Sequence, residues 1–392
     1  MREKMKSESY VKGYEELQML IQELKKYQHL CIYSAGNRAK EVLLMWQSGF
    51  LDIPKPEYFL VSDKKGNREF VDNPERIKDI PVYALREKAD DNVDQTAVFV
   101  VAMEHYHKDI CGCLSETSYQ NIFCLTDIME RILIAEYMEF YFRRHGLPFN
   151  VTEMYERDWY LCAESYPEDR LMTYMVQCVQ DIGLEERMIQ REWVTALQAG
   201  AALTKQRIAA VTDADGDNIS SKNPYYNEMT GLYWLWKNTS WDFSGICHYR
   251  RQFESDVVIQ YLTENKADII LPMPTVVYPD LQRYYLNWGE PEYYDILLKV
   301  IRELEPEYYE TAIWCAEHEI FIPNNIFIMK RDILEDYCRF AFRIIDEVEL
   351  RMSLKTGAKQ KRCWESEHVS TIYFMNNMDR FRIFFSNLKR YW

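Results

Sequence analysis

An α/β fold in two domains is what this sequence predicts, and three observations predict it. Short apolar runs suited to buried strands alternate with helical stretches through the first third of the chain. The alternation lapses in a polar, acidic stretch from 150 to 170 and restarts at Thr173. A chain of 392 residues is also long for a single core. The expected division is residues 1–150, a small parallel-sheet domain with a connecting helix, and residues 170–392, a larger α/β domain.

In the first domain, apolar positions at Tyr14, Leu17, Leu20, Ile21 and Leu24 predict a helix over 10–27. Leu30 to Tyr33 reads as a strand that enters Ser34-Ala35-Gly36-Asn37, followed by a helix from Lys40 to Gln47. The strand Tyr58 to Val61 ends at Asp63, and others are expected at 81–85, 97–102 and 121–125. Strand, turn and helix with an acid closing the next strand have the layout of a dinucleotide-binding βαβ unit, so the domain is Rossmann-like. Ser34 and Ala39 stand where the first and third glycines would be, and only Gly36 remains. A side chain at the tight turn keeps the backbone away from a pyrophosphate, which favours a scaffold or partner-docking role. A connecting helix over 128–147 ends at Gly146 and Pro148.

The second domain opens with a strand from Tyr174 to Val179, followed by an amphipathic stretch to about Leu203. An apolar segment, Ile208 to Val211, runs into an acidic loop. Asn223-Pro224 then reads as a helix start, with Asn223 as N-cap and Pro224 at the first helical position. Met229, Leu232, Tyr233 and Trp236 fall at helical spacing and predict one buried stripe. Gly231 inside that helix costs about 1 kcal/mol relative to alanine, which makes sense if something packs closely against it. Strands are expected at Phe243–Cys247 and Asp268–Pro272, one is expected to begin at Asn324-Asn325, and 332–354 reads as a long helix.

Composition narrows the function. The formal net charge of −15 argues against a general nucleic-acid binder, which needs a basic stripe to neutralise phosphates. The ten cysteines form no CxxC pair and no signal peptide is recognised, so disulfides and structural zinc are not expected and a reducing cytoplasm is the simplest compartment. No apolar run approaches a membrane span. Aromatic content of 15%, with 29 Tyr and 10 Trp, suits stacking on sugar faces and bases as well as an aromatic core.

The candidate chemistry is concentrated between 211 and 253. Asp213-x-Asp215 and Asp215-x-Asp217 have the form of a DxD pair that could hold Mn²⁺ or Mg²⁺ against a donor diphosphate; an acidic turn capping backbone amides is the alternative. Glu228 lies off the predicted stripe, as does Lys237. His248-Tyr249-Arg250-Arg251 directly follows a strand, where open α/β sheets bind ligands, and two adjacent arginines there could fork onto a diphosphate. Residues 274–291, with Tyr278, Tyr284, Tyr285 and Trp288, read as a lid or acceptor platform. Glu367, on a predicted helix, is a candidate base for an acceptor hydroxyl. The tail from Asp379 to Trp392 mixes Arg380, Arg382, Lys389 and Arg390 with five aromatics, and would either rest on an anionic membrane surface or dock onto the domain.

The stretches GDNISSKN (216–223), EMTGLYWLWKN (228–238) and GICHYRR (245–251) resemble the DUF4422 family of bacterial glycosyltransferase-like proteins found with capsule and exopolysaccharide genes. The likeness is strong over roughly 195–255 and weaker through Asp268–Pro272, Asn325–Lys330 and Glu365-Ser366-Glu367. It implies a GT-A-like fold for the second domain and sugar transfer from a nucleotide-activated donor, UDP-galactofuranose or another UDP-hexose. Two positions depart from the pattern: Gln180-Asp181 stand where a histidine usually ends the opening strand, and His368-Val369 follow Glu367 in place of Arg-Leu.

The expectation is therefore a cytoplasmic transferase, peripheral at the inner membrane face if the tail engages lipid, that extends a surface glycan on a lipid-linked or free acceptor. Glu367, Asp213 and Glu228 are its candidate catalytic groups. Asp215, Asp217, Asn218, Ser220, Asn223, Lys237, His248, Tyr249, Arg250, Arg251 and Asn325 are its candidate donor contacts, with Asp213 and Asp215 as metal ligands. The rivals are a non-catalytic nucleotide- or carbohydrate-binding module of a capsule locus and a nicotinamide oxidoreductase built on the first domain.

Overall fold

The computed structural model describes residues 8–63, 76–88, 95–152, 170–181, 190–287, 289–356 and 363–390. The chain divides into two compact units, Met1–Arg144 with Val276–Trp288, and His145–Thr275 with Gly289–Trp392. Most of the polar stretch at 150–170 lies outside the described residues.

The first unit runs α1 (Glu8–Leu24), β1 (His29–Tyr33), α2 (Asn37–Gln47), β2 (Pro56–Val61), β3 (Arg76–Ile77), β4 (Ile80–Ala84), β5 (Thr96–Val100), α3 (His107–Ser115), β6 (Asn121–Cys124) and α4 (Asp127–Arg144). Its strands line up as β3-β4-β2-β1-β5-β6, parallel throughout except for the short β3–β4 pair. Near-continuous aliphatic runs such as Thr96–Val100, buried at every position, are what a sheet covered on both faces requires. After β1, Ser34 has a positive φ of 131°, and its Oγ accepts the Gly36 N–H at 3.3 Å. The turn thus closes on its own side chain with an amide that a phosphate would otherwise take.

The second unit follows with β7 (Leu171–Gln177), β8 (Val194–Gln198), β9 (Val211–Thr212), α5 (Asn223–Tyr226), α6 (Met229–Asn238), β10 (Phe243–His248), β11 (Arg251–Phe253), α7 (Val257–Thr263), β12 (Ile269–Pro272) and β13 (Thr275–Val276). After α8 (Leu281–Tyr285), it resumes with α9 (Tyr293–Leu304), α10 (Tyr309–Glu317), β14 (Ile320–Phe321), β15 (Phe327–Lys330), α11 (Arg331–Thr356), α12 (Cys363–Asn376), β16 (Ile383–Ser386) and β17 (Leu388–Arg390). Its main sheet has the order β16-β12-β15-β10-β7-β8-β9. β10, β7, β8 and β9 are mutually parallel, while β15 runs antiparallel between β10 and β12. The sheet grows from β7 through β8 to one side and through β10 to the other, so the crevice between diverging connections opens at the carboxyl ends of β7 and β10. The architecture is the expected α/β one, with an open, mixed sheet in the second unit whose strands β10, β7, β8 and β9 are parallel.

Two glycines fix the packing around these strands. A Cβ on Gly245 of β10 would lie 1.7 Å from the Phe327 carbonyl oxygen, so only glycine lets β15 pair there. A Cβ on Gly231 of α6 would lie 3.0 Å from Val176 Cγ2 and 3.1 Å from Leu197 Cδ2, which explains a glycine inside a helix laid on β7 and β8.

Several sequence expectations change. The amphipathic stretch before Leu203 contains a strand, β8, because Val194–Gln198 pairs with β7 residue for residue. The helix expected from Asn223 is broken: Asn227 takes φ 45°, and α6 restarts after Glu228, with Lys222 rather than Asn223 in the cap position of α5. The buried stripe of α6 is Met229, Leu232 and Leu235, whereas Tyr233 and Trp236 are half-buried against Phe342 of α11. Asn324 and Asn325 form a left-handed turn ahead of β15 instead of beginning a strand.

Within the aromatic loop from 274 to 291, α8 buries Leu281 and Tyr285. The tail takes the docking alternative. β16 pairs with β12, β17 pairs with β11, Phe385 is buried, and Arg382 is bound to Asp268. Among the described residues no helix is long and apolar enough to cross a membrane.

Candidate active site

The polar groups of the second unit gather where β7, β8, β9 and β10 end. The acidic loop that follows β9 is divided between the two ends of α6. Asp213 is fully buried, and both its oxygens are occupied. Oδ2 accepts Gly200 N–H at 2.9 Å and Thr230 Oγ1 at 2.6 Å; Oδ1 accepts Ala201 N–H at 3.1 Å and the Ser220 hydroxyl. Four donors on one carboxylate leave no lone pair directed at a ligand. Asp213 is therefore the anchor of the loop and not a metal ligand or catalytic group.

Asp217 sits at the other end of α6. Its carboxylate accepts the Tyr233 hydroxyl at 3.2 Å, and its backbone exchanges hydrogen bonds with the Asn238 side chain. Eight residues of helix separate Thr230 from Asn238, about 12 Å. Lys237, exposed with its ammonium 3.5 Å from the Trp236 ring centre, lies at the same far end. Asp217 and Lys237 are thus not brought together with Asp213. Asp215 accepts the Thr212 hydroxyl at 2.9 Å, and Asn218 closes the loop through Ala214 O, Gly216 O and Ser220 N. A divalent ion does not fit the Asp213–Asp215 pair as it stands, and among the described residues no three His, Cys, Asp or Glu side chains gather as a metal site would require.

What the fold does bring together is a different set. Glu228 precedes the first turn of α6, and Glu367 lies on α12, 139 positions later. Asn325, 3% exposed, donates from Nδ2 to Glu228 Oε1 at 2.8 Å and to Ser366 Oγ at 2.8 Å. Burial pushes the Glu228 carboxyl up, opposed by the Asn325 amide and by the charge of Arg251. Burial, then repulsion from Glu228, pushes Glu367 up to about 8, against the Asn324 N–H and Arg251. Two carboxyls raised above the ordinary range, both within reach of the Arg251 charge, make an acid/base centre chemically feasible.

The tetrad after β10 separates its functions. His248 and Arg251 pair across a tight turn. Arg250 is exposed and lies over the Tyr249 ring, 5.0 Å from its centre, whereas Arg251 is the arginine whose charge reaches both glutamates. The expected single fork is therefore two separate cations. Burial, followed by the charges of Arg251 and Arg250, pushes His248 down to about 3, so it is a neutral imidazole and not a third cation. Its Nε2 is buried, with no hydrogen-bond partner among the described residues. Tyr249 is raised to about 12 by burial and by its hydrogen bond to Asp181.

Cys178, Thr230 and Ser366 were not named as site residues from sequence, and Asp181 was noted only as a departure from the family pattern. Asp181 ties the end of β7 to the tetrad, accepting Cys178 N–H at 2.8 Å and the Tyr249 hydroxyl. Burial raises the Cys178 thiol to about 12, helped by the charges of Asp181, Asp213 and Glu228. Asn223 joins this group: its Nδ2 donates to Asn227 O at 2.9 Å and Thr230 Oγ1 at 3.1 Å, while the Cys178 thiol approaches its Oδ1 at 3.9 Å. Thr230 and Ser366 are neutral hydroxyls whose roles depend on partners far away in sequence. For them only the short TGLYWLWKN and Glu365-Ser366-Glu367 motifs gave any signal.

The match expected from these motifs is found. Residues 184–378 match the family described as Domain of unknown function (DUF4422). No curated protein matches the chain. A solved structure, the apo form of the bifunctional glycosyltransferase WbbM, is similar at 22% identity with a TM-score of 0.49, over 56% of this chain and 45% of that one. The chain thus spans less than half of that protein's length.

Proposed function

We propose, on the premise that residues 184–378 are a DUF4422 domain, that this domain transfers a sugar from a nucleotide-activated donor to a glycan hydroxyl. The observation that carries the reading is the meeting of Glu228, Glu367 and Arg251 beside the carboxyl ends of β7 and β10, with Asn325 holding Glu228. Transfer from a sugar diphosphate needs positive charge against the leaving group and a base for the incoming hydroxyl. Arg251 supplies the first, supported by exposed Arg250 on the rim, and the glutamates supply the second. The hydroxyl oxygen bonds to the anomeric carbon as the bond to the diphosphate breaks. The diphosphate leaves with the electron pair, and the hydroxyl proton passes to a carboxylate.

Neutral His248 contributes a hydrogen bond rather than charge, and its Nε2 is available to a sugar or phosphate hydroxyl once the site is occupied. The finer assignments, UDP-galactofuranose or another UDP-hexose as donor and a lipid-linked or free surface glycan as acceptor, are part of the proposal and rest on the motif resemblance. Mn²⁺ or Mg²⁺ enters no step of it, since the Asp213 carboxylate is already saturated.

The test is a panel of UDP-hexoses, including UDP-galactofuranose, incubated with purified protein with and without Mn²⁺, with released UDP measured. Release above the level of a Glu228→Gln/Glu367→Gln double variant supports the reading. UDP-sugar binding by calorimetry with no release on any donor would make the domain a binding module instead.

A further inference from the structure

The thiols of Cys111 on α3 and Cys124 at the end of β6 touch, Sγ to Sγ at 3.7 Å, and both cysteines are free and half-buried. Helix spacing and strand register bring them together. Ile110 and Leu114, one helical turn apart, are the buried face of α3, and they pack on the side of the first sheet that carries Val98 and Val100. Cys111 follows Ile110 and so lies on the margin of that face. β6 is the edge strand beside β5, and Cys124 is registered with Val100 in their parallel ladder. Registered neighbours point to one face of a sheet, so Cys124 is directed to the side that α3 covers and packs against the same cluster. Cys113, two positions further along α3, is about 200° round the helix and exposed.

We propose that Cys111 and Cys124 are a reversible oxidation site, a dithiol that a small disulfide of the glutathione class converts to a disulfide. The Cys111 thiolate first attacks one sulfur of the small disulfide, bonds to it and releases one small thiolate. Cys124 then gives up its proton and attacks the Cys111 sulfur. That bond forms, the mixed disulfide breaks, and the second small thiolate leaves. Two protein thiols are oxidised, one small disulfide is reduced to two thiols, and the two protein protons end on them. The sulfurs have to close from 3.7 Å to about 2.05 Å. Burial, then the neighbouring Cys111, pushes the Cys124 thiol up to about 12, which leaves the first attack to Cys111. The bond encloses residues 112–123 and fastens an edge strand to the helix that covers it. In a reducing compartment the pair rests as thiols and closes under an oxidising load. The site belongs to the first unit and does not depend on the transfer reading.

Disulfide mapping of the purified full chain tests this. The protein is reduced, exposed to oxidised glutathione, alkylated at its free thiols and digested without reduction. Trypsin releases all three cysteines in one peptide, residues 109–131, and a further cut after Glu116 separates Cys111 and Cys113 from Cys124. The peptide is expected to take up one alkyl group, on Cys113, and its two halves to stay joined after the second cut until dithiothreitol parts them. Cys113→Ser should leave the join intact, whereas Cys111→Ser and Cys124→Ser should each abolish it. Glutathione left on Cys111 with Cys124 alkylated, a bond to Cys113, or alkylation of all three thiols would overturn the site, and the wild type alone decides this. Hydrogen exchange over residues 121–124 is expected to slow in the oxidised wild type and not in glutathione-treated Cys124→Ser. Equal exchange in the two overturns the fastening of β6, while the mapping still decides the site.

Discussion

Thr230 donates its hydroxyl proton to Asp213 Oδ2 at 2.6 Å, and that bond ties the acidic loop after β9 to the first turn of α6. It also places Glu228, two residues earlier, beside the carboxyl ends of the parallel strands. The most suggestive acid in the sequence is thus a fastener for the residues that form the site.

Removing that fastener should cost stability before it costs chemistry. Asp213→Ala strands four donors in a buried loop. At about 1–3 kcal/mol for a buried group left unpaired, a loss of several kcal/mol is expected in urea unfolding. Thr230→Val keeps the shape, removes one bond and should cost about 1–2 kcal/mol. Equal stability of Asp213→Ala and wild type would show that the four bonds do not hold the loop.

Gly231→Ala pits two effects against each other. Alanine gains about 1 kcal/mol of helix propensity, but its Cβ would lie 3.0 Å from Val176 and 3.1 Å from Leu197. Val176 is β-branched within a paired strand and has little freedom to rotate away. Overpacking of about 1–3 kcal/mol should win, giving a lower melting temperature. A rise in melting temperature would mean that α6 can lift off the sheet.

The two arginines should behave differently in the donor assay. Arg251→Ala removes the cation that faces both glutamates and should lower kcat/KM on the order of 10²-fold or more. Arg250→Ala removes an exposed cation over Tyr249 and should cost about tenfold or less, mainly in KM. Equal losses would restore the single two-arginine fork expected from sequence.

Glu367 makes a signed pH prediction. Its folded value is raised to about 8, against about 4.3 in an unfolded chain. In that window the folded protein holds a proton that the unfolded chain has released, so the Glu367 contribution is fullest below about pH 4.3 and falls as pH rises towards 8. Glu367→Gln does not titrate and should flatten this slope in urea midpoints measured at pH 5, 6, 7 and 8. An unchanged slope would place the titrating proton elsewhere.

Asp268 behaves in the opposite sense. Burial works against its charge, but hydrogen bonds from Arg382 and Lys330 prevail and hold its carboxyl well below the usual range. Its contribution is therefore present above about pH 4 and lost as pH falls below that. Asp268→Asn should lower the melting temperature at pH 7 and narrow the difference from wild type at pH 3. Because Arg382 immediately precedes β16, increased proteolysis of the tail at pH 7 is the accompanying readout.

The sequence by itself determined the α/β class, the strands β1, β2, β4 to β7, β10 and β12, and the need for a glycine at 231. These follow from period, apolar run length and local steric demand, all of which are properties of neighbours along the chain. It also picked out Glu228, Asn325, Arg251 and Glu367 individually, because the short motifs carry them. Only the tertiary structure decided how they combine. Whether Asp213 faces a metal or four protein donors depends on residues 200, 201, 220 and 230, and the left-handed turn at 324–325 is what lets one amide, that of Asn325, bridge Glu228 and Ser366. Burial and long-range pairing set both outcomes, and neither has a local signature in the chain.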